Sequence, residues 1–384
     1  MKILYFNNSA FGGLAQYAHH QANSLVDAGC EVDFLCPPNY PEYADCRYNP
    51  IRTLSSKSKR TGASRFSRLR GFYKEVTSDI QSLVYYAENN QISNVLFGSY
   101  LEYFSPFWVG SLLKLKKKGI VFGSVVHDPI RDTKLGPSCW HRHSVKKAYE
   151  FLDLLFLHQK IKDPLSGLPS SLPQFVIPHG PYPVNASLLS RSEAREKLKL
   201  PQDKTVLLSF GHIRDNKNLN LAIESLQDHP EFHLVIAGQS LNETQKQPEY
   251  YKELARQLKV EDRVTWFIEY IPDDQISSFF SASDGILLTY SRGFRSASGV
   301  LNIASTFDKP CIASSGPSPL KDLVNNYSLG VWVDPDDKGA LSKGMREFKK
   351  TEQTPDWGRY RKDNSWERNA KITKEAFLKH IDNS

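Results

Sequence analysis

The feature that most narrows what this chain can fold into is an alternation. Short apolar runs recur along its whole length, separated by stretches with helical periodicity. In the first half Lys2–Phe6, Glu31–Cys36, Asn94–Ser99, Ile120–Val126, Leu152–Leu157 and Phe175–Ile177 read as strands. In the second half the strands are Thr205–Phe210, His233–Ala237, Val264–Ile268, Gly285–Tyr290, Pro310–Ser314 and Gly330–Val333. Between them, Leu14–Ala28, Ser64–Asn90, Ser105–Lys118, Leu219–Leu226, Glu249–Leu258, Asp273–Ala282, Val300–Phe307 and Lys338–Lys350 read as helices. Strands apolar on both faces and joined through helices build parallel sheets covered on both sides. The class is therefore α/β.

A chain of 384 residues is long enough for two such cores. The rhythm breaks where proline and serine accumulate between Pro181 and Pro201. Domains are expected at 1–180 and 181–355, with the charged helical tail occupying 356–384. Five cysteines, an odd number with no CxxC pair, fit a reducing cytoplasm better than a disulfide framework. The start, MKILYF, has too short an apolar run for a signal peptide, and no run approaches the roughly 18 residues of a membrane span. The expectation is a cytoplasmic protein, soluble or peripheral on the inner face of a membrane.

The net charge of +7 is concentrated in the first half. Nine basic residues and no acidic one lie between Arg47 and Lys74, and Lys114, Lys116, Lys117 and Lys118 form a second cluster. Arg142, Lys146 and Lys147 form a third. Ser64–Asn90 starts as a basic amphipathic helix, with Phe66, Leu69, Phe72 and Tyr73 interleaved among arginines. Such a helix suits an anionic membrane surface, and equally the solvated outer face of an α/β domain. Specific nucleic-acid binding is not expected, because the aromatics form no recognisable stacking platform.

Three places carry candidate chemistry. The first strand runs into a turn ending Gly12-Gly13, where a backbone can approach a ligand closely. The strand Ile120–Val126 ends in His127-Asp128, at the edge where open α/β sheets bind ligands. The third is Ser283–Ser314: strand, a loop with Arg292, Arg295, Ser296 and Ser298, a helix beginning at Gly299-Val300, and another strand. Arginines at a helix start suit a diphosphate. Cys139, His141 and His143 have metal-binding residue types without a clear fourth ligand, and Asp334-Pro-Asp336 reads as a turn.

The segment Ser209-Phe-Gly-His-Ile-Arg-Asp-Asn-Lys-Asn218 resembles the phosphate-binding segment of GT-B glycosyltransferases, particularly family four. Gly211, Arg214 and Lys217 fall at matching places. The stretch Ser283–Ser314 is similar to the family's second motif in architecture, but Arg295 and Ile303 stand where two glutamates are usual. Gly12-Gly13, His127-Asp128 and Ile177-Pro178-His179-Gly180 are weaker matches, so the resemblance spans nearly the whole chain.

The resemblance implies two Rossmann-like domains facing across a cleft, with the tail helices packing back on the first. It implies transfer of a sugar from a nucleoside diphosphate sugar to a glycan, lipid-linked or other acceptor, as in polysaccharide or glycoconjugate synthesis. No cofactor or metal is expected, since such enzymes neutralise the diphosphate with basic side chains and helix dipoles. Donor binding is assigned to Gly12, Gly13, Arg214, Lys217, Ser296, Ser298, Gly299, Val300 and Asn302. His127 and Arg295 are the catalytic candidates, and Tyr17 and Asp128 are placed on the acceptor side. The missing glutamates motivate an alternative, a non-catalytic subunit that binds a sugar nucleotide or glycan.

Overall fold

The computed structural model describes residues 1–56, 65–128, 137–160, 168–182, 189–240 and 245–382, apart from the side chains of Arg65, Phe66 and Arg68. Lys57, Lys59 and Arg60 of the basic stretch lie outside the described residues. The chain divides into two compact units, Met1–His179 with Ser365–Ser384, and Gly180–Asn364. The expected tail 356–384 is thus split between them at Asn364.

The first unit contains a seven-stranded sheet in the order β3-β2-β1-β4-β5-β6-β7. Its strands are β1 (Lys2–Asn7), β2 (Glu31–Leu35), β3 (Asn49–Ile51), β4 (Asn94–Ser99), β5 (Val121–Val126), β6 (Leu154–Leu157) and β7 (Gln174–Val176). Every pairing is parallel. The helices are α1 (Gly12–Asp27), α2 (Arg65–Asn89), α3 (Ser105–Lys117), α4 (Ser138–Ala148) and, from the far end of the chain, α13 (Trp366–Asp382). Leu4, Phe6, Val95, Phe97 and Phe122 of the central strands pack with Leu83 of α2, Leu112 of α3 and Phe151.

Two elements differ from expectation. β3 lies in a stretch for which no strand was expected; it carries Pro50, and as an edge strand it tolerates a missing N–H. α4 runs through Cys139, His141 and His143, which on a helix do not share one face. Among the described residues, no group of three or more His, Cys, Asp or Glu side chains is placed to hold a metal.

The second unit contains a six-stranded parallel sheet in the order β10-β9-β8-β11-β12-β13. Its strands are β8 (Thr205–Phe210), β9 (Phe232–Ala237), β10 (Val264–Phe267), β11 (Gly285–Thr289), β12 (Cys311–Ser314) and β13 (Gly330–Trp332). The covering helices are α5 (Arg191–Lys197), α6 (Leu219–Ser225), α7 (Pro248–Gln257), α8 (Asp273–Ala282), α9 (Gly299–Ala304), α10 (Pro319–Asn326), α11 (Lys338–Lys350) and α12 (Trp357–Asp363). α5 opens with a capping box, Ser190 accepting from the Glu193 amide while the Glu193 carboxylate accepts from the Ser190 amide.

Arg195 of α5 is fully buried. Its guanidinium donates to the carbonyls of Ala282, Pro201, Gln202 and Lys204 and to Asp284 at 2.6 Å. Five donors in a planar fork meet this demand; a lysine could not.

Each sheet doubles back once. In the first unit the chain goes outward from β1 to β2 and β3, then returns to β4 on the other side of β1. In the second it goes from β8 to β9 and β10, then returns to β11. In open α/β sheets ligands bind outside the carboxyl ends of the strands at such a reversal.

Candidate active site

In the second unit, the two loops at the reversal are the ones that carry the candidate anion-binding residues. β8 ends in Gly211, whose φ of +85° belongs to the left-handed region. Its amide donates to the Ala237 carbonyl at 2.8 Å. Gly238 packs so closely behind it that an added Cβ would lie 2.3 Å from the Gly211 oxygen. The chain then presents Arg214 to solvent and turns through Asp215–Lys217. Asp215 holds that turn by accepting from the Lys246 amide at 3.0 Å and the Tyr251 hydroxyl at 3.3 Å.

Lys217 folds back so that its ammonium donates to the Phe210 carbonyl. Among the described residues it forms no ion pair. Desolvation, with the positive charge of Arg214 second, lowers its pKa to about 7. A desolvated ammonium beside an arginine and without a carboxylate is poised for an anion from outside.

The loop after β11 is joined to this turn. The Ser291 amide donates to the Asn216 carbonyl at 2.8 Å, and the Thr289 hydroxyl donates to the Lys217 carbonyl at 3.0 Å. Asp336 joins them a second time. Its carboxylate accepts from the Asn218 side chain and from the Arg292 amide, both at 2.9 Å. Asp336 has a φ of +62°, as the turn reading allowed, but the role of its carboxylate was missed. Two residues 118 positions apart give no local signal of such a clamp. Gly316 seats the loop from behind, since a Cβ there would lie 2.0 Å from the Arg292 oxygen. Tyr290 and Phe294 stack at 3.9 Å across the loop.

A side chain at Gly211 would have Lys217 Nζ at 3.6 Å and Val300 Cγ2 at 3.9 Å, so the two motifs converge here. The helix expected over Val300–Phe307 is only Gly299–Ala304. Gly299 and Val300 supply its first amides, which have no intrahelical acceptor. Arg295 and Ser296 lie half-exposed in the loop.

Two of the residues assigned to the donor are buried and already hydrogen-bonded within the unit. Ser298 is buried and caps α9, accepting from the Leu301 amide at 3.3 Å and meeting the Tyr290 hydroxyl at 3.0 Å. Asn302 is 2% exposed; it accepts from the Tyr360 hydroxyl at 2.6 Å and donates to the Ser298 carbonyl at 3.3 Å. Both side chains hold the unit together instead. Ile303, where a glutamate would be usual, is buried.

In the first unit, Gly12 has a φ of +72° and opens α1 with Gly13; an added Cβ at either would meet nothing within 4 Å. Three neighbouring strands lead to histidines at their carboxyl ends. β5 gives His127, β6 gives His158, and β7 leads through Ile177 and Pro178 to His179. His127 Nδ1 lies 3.4 Å from His158 Nε2, and His158 Nδ1 lies 3.1 Å from the Ile177 carbonyl. Burial, then the neighbouring His158 and His179, holds the His127 pKa well below the usual value, so the ring is neutral. His158 is lowered to about 4, chiefly by burial. Sequence reasoning missed His158, although its position one residue past an apolar run was the same signal that singled out His127. Asp128 is exposed beside this row.

Tyr17, assigned to the acceptor side, is a buried residue of the first unit. It is 1% exposed and meets His127, His158, His179 and Trp366 edge-on, at ring centroid distances of 4.6 to 5.5 Å. Its hydroxyl accepts from Asn369 at 2.9 Å. A separate cavity of about 260 Å³, lined by Arg191, Lys204, Asp284 and Lys349 among others, lies at the opposite, amino-terminal edge of the second sheet. Its Asp284 is already paired with Arg191 and Arg195.

Residues 190–372 match the family described as "Glycosyl transferases group 1". No curated protein matches the chain in sequence. Among solved structures, it resembles sucrose-phosphate synthase from Thermosynechococcus elongatus, with 17% identity, 100% of both chains covered and a TM-score of 0.71. A glycosyltransferase from Rickettsia africae gives the same identity and TM-score, covering 100% of this chain and 99% of that one. Anabaena HepE in complex with UDP-glucose has 15% identity, with 98% of this chain and 100% of that one covered, and a TM-score of 0.70. The fold is GT-B.

Proposed function

We propose, from a chain whose residues 190–372 match the group 1 glycosyl transferase family and whose fold is GT-B, that it moves a sugar from a nucleoside diphosphate sugar to a hydroxyl of a glycan or lipid-linked acceptor. One observation carries the donor half of this reading. The second sheet reverses between β8 and β11, and the loops leaving those strands converge on Lys217, a desolvated ammonium with no carboxylate partner among the described residues.

In this reading Arg214, Lys217 and the amides of Gly299 and Val300 take up the charge of the departing diphosphate. Charge that develops during bond cleavage is stabilised most by donors already in place and shielded from water. Arg295 adds a third cation, and Ser296 a hydroxyl, from the same loop. His127, being neutral, hydrogen-bonds a sugar hydroxyl and is unsuited to a phosphate; Asp128 and the Gly12-Gly13 turn are the first unit's other candidate ligand-binding residues. No metal is required.

HepE was solved with UDP-glucose, which makes a uridine diphosphate sugar the first donor to try. The product belongs to polysaccharide or glycoconjugate assembly. Cytoplasmic work at an anionic membrane face, through the basic stretch Arg47–Lys74, is part of the proposal. Among the described residues no helix is long and apolar enough to cross a membrane.

The test is release of nucleoside diphosphate from a panel of uridine, guanosine and adenosine diphosphate sugars. Release with one base, lost in the Arg214→Ala/Lys217→Ala variant, is expected. Tight binding of a sugar nucleotide without turnover on any acceptor would instead make the chain a non-catalytic binding subunit.

A further inference from the structure

The first unit turns a row of aromatic side chains outward where its helices meet solvent. On α2, Leu69, Phe72 and Tyr73 are 55%, 46% and 41% exposed. Their spacing of three and four residues puts them on one helix face. On α3, Phe107 is 58% exposed. The Tyr73 and Phe107 rings meet edge-on at 5.3 Å. Phe107 continues to the half-buried Trp140 of α4 at 5.9 Å, and Trp140 to the exposed His143 at 6.2 Å. An apolar surface shared by three helices is not the ordinary scatter of single exposed side chains.

The charge around this row has one prevailing sign. Arg70 and Lys74 on α2, Lys114 on α3, and Arg142 and Lys146 on α4 are all exposed. Lys114 lies two helical turns beyond Phe107 along the same exposed stripe, with Gly110 and Ser111 between them. Aromatic rings rimmed by lysine and arginine match the interface of an anionic bilayer, where rings sit among headgroups and cations meet phosphate.

We infer that the exposed α2–α3–α4 face, centred on Phe72, Tyr73, Phe107 and Trp140, docks the chain on an anionic lipid bilayer. This deepens the membrane part of the proposed function and replaces a purely electrostatic contact with an inserted aromatic one. The sequence pointed to three basic clusters and to the aromatics of α2. Phe107 and Trp140 join that face through tertiary packing, 34 and 67 residues after Tyr73 by the numbering.

Two consequences separate insertion from electrostatic contact alone. Salt screens the cations but leaves buried aromatic area untouched, so binding falls with salt to a residual level instead of to zero. A tryptophan in the interface is also quenched by brominated acyl chains.

The experiment is flotation of the full chain with phosphatidylcholine vesicles, with and without phosphatidylglycerol, followed by tryptophan quenching with brominated lipid. Wild type is expected to float only with phosphatidylglycerol. Phe72→Ser/Phe107→Ser is expected to weaken binding by about tenfold or more at unchanged thermal stability, through loss of buried apolar area. Trp140→Phe is expected to keep flotation and lose most of the quenching. Tyr250→Ser, at an exposed ring of the second unit, serves as the matched control and should bind as wild type. Wild-type flotation of the double variant, or undiminished quenching in Trp140→Phe, would overturn the inference. So would self-association or capture of a soluble protein through this face with no vesicle binding. None of these readouts requires sugar transfer, so a failure here is distinct from a failure of the proposed reaction.

Discussion

In the proposed reaction Lys217 meets the diphosphate, and its environment makes it sensitive to pH. Its ammonium is desolvated and sits beside Arg214, which together lower its pKa to about 7. A bound diphosphate reverses the second influence and raises that pKa. The bound state therefore holds the proton more tightly than the free state. Affinity should be highest below pH 7 and should decline as pH rises through 7, with proton uptake on binding over that range. A diphosphate sugar is the right ligand for this measurement, because its phosphates do not titrate there. Calorimetry in buffers of different ionisation heat reads the uptake directly; a pH-independent affinity with no proton exchange would show that Lys217 does not meet the diphosphate. At the same scale, the sequence showed residue types better than residue roles. Arg214, Lys217 and Gly211 stood out because an Arg and a Lys after a strand-ending Gly are unusual together. Ser298 and Asn302 stood out equally, yet the structure gives them to capping α9 and to Tyr360. A polar side chain at a helix start looks the same in sequence whether it faces a ligand or its own backbone.

The unit that builds the site is the pair of strand-to-loop junctions after β8 and β11. Gly238 holds the first in place by the absence of a side chain. Its φ is +147°, and a Cβ would stand 2.3 Å from the Gly211 oxygen. Gly238→Ala should cost about 2–4 kcal/mol through backbone strain and overlap, read as a lowered Tm, and should weaken diphosphate binding by moving Gly211. Wild-type stability in that variant would show that the two loops do not press on one another. Most strands were legible because continuous apolar runs between helical stretches have few other uses in an α/β chain. β3 was not, because its central residue is an exposed proline that an edge strand accepts. α9 was predicted three residues too long at its far end, to Phe307; it stops at Ala304 and the chain turns through Asp308 at a φ of +52°. Apolar periodicity carries no information about where a short helix stops. The Asp336 clamp was invisible for a different reason, since it depends on three loops brought together by the sheet.

At the scale of the whole molecule, the chain returns at its end to the unit where it began. α13 packs on the first unit, and Asn369 of that helix, fully buried, is the polar centre of the junction. It donates to the Tyr17 hydroxyl at 2.9 Å and the Pro178 carbonyl at 2.7 Å, and accepts from Gln21 at 2.7 Å; Gln21 in turn accepts from Tyr5 at 2.7 Å. Asn369→Leu leaves buried partners unsatisfied and should destabilise the first unit by about 3–5 kcal/mol, seen as a lowered melting temperature. Unchanged melting would mean the network contributes nothing measurable. Family resemblance implied a returning tail over 356–384, and Ser365–Ser384 is the part that clusters with the first unit; composition showed only a charged helical stretch. The two-unit α/β plan was legible from the strand-helix rhythm alone. The account as a whole rests on the loops after β8 and β11 forming the diphosphate half of a sugar-nucleotide site. Calorimetric titration of UDP-glucose into wild type and Lys217→Met at pH 6 tests this most directly. The account predicts saturable binding to wild type, weakened roughly 10- to 100-fold in the variant by loss of a charge-assisted hydrogen bond. Equal affinity in the two proteins would contradict it.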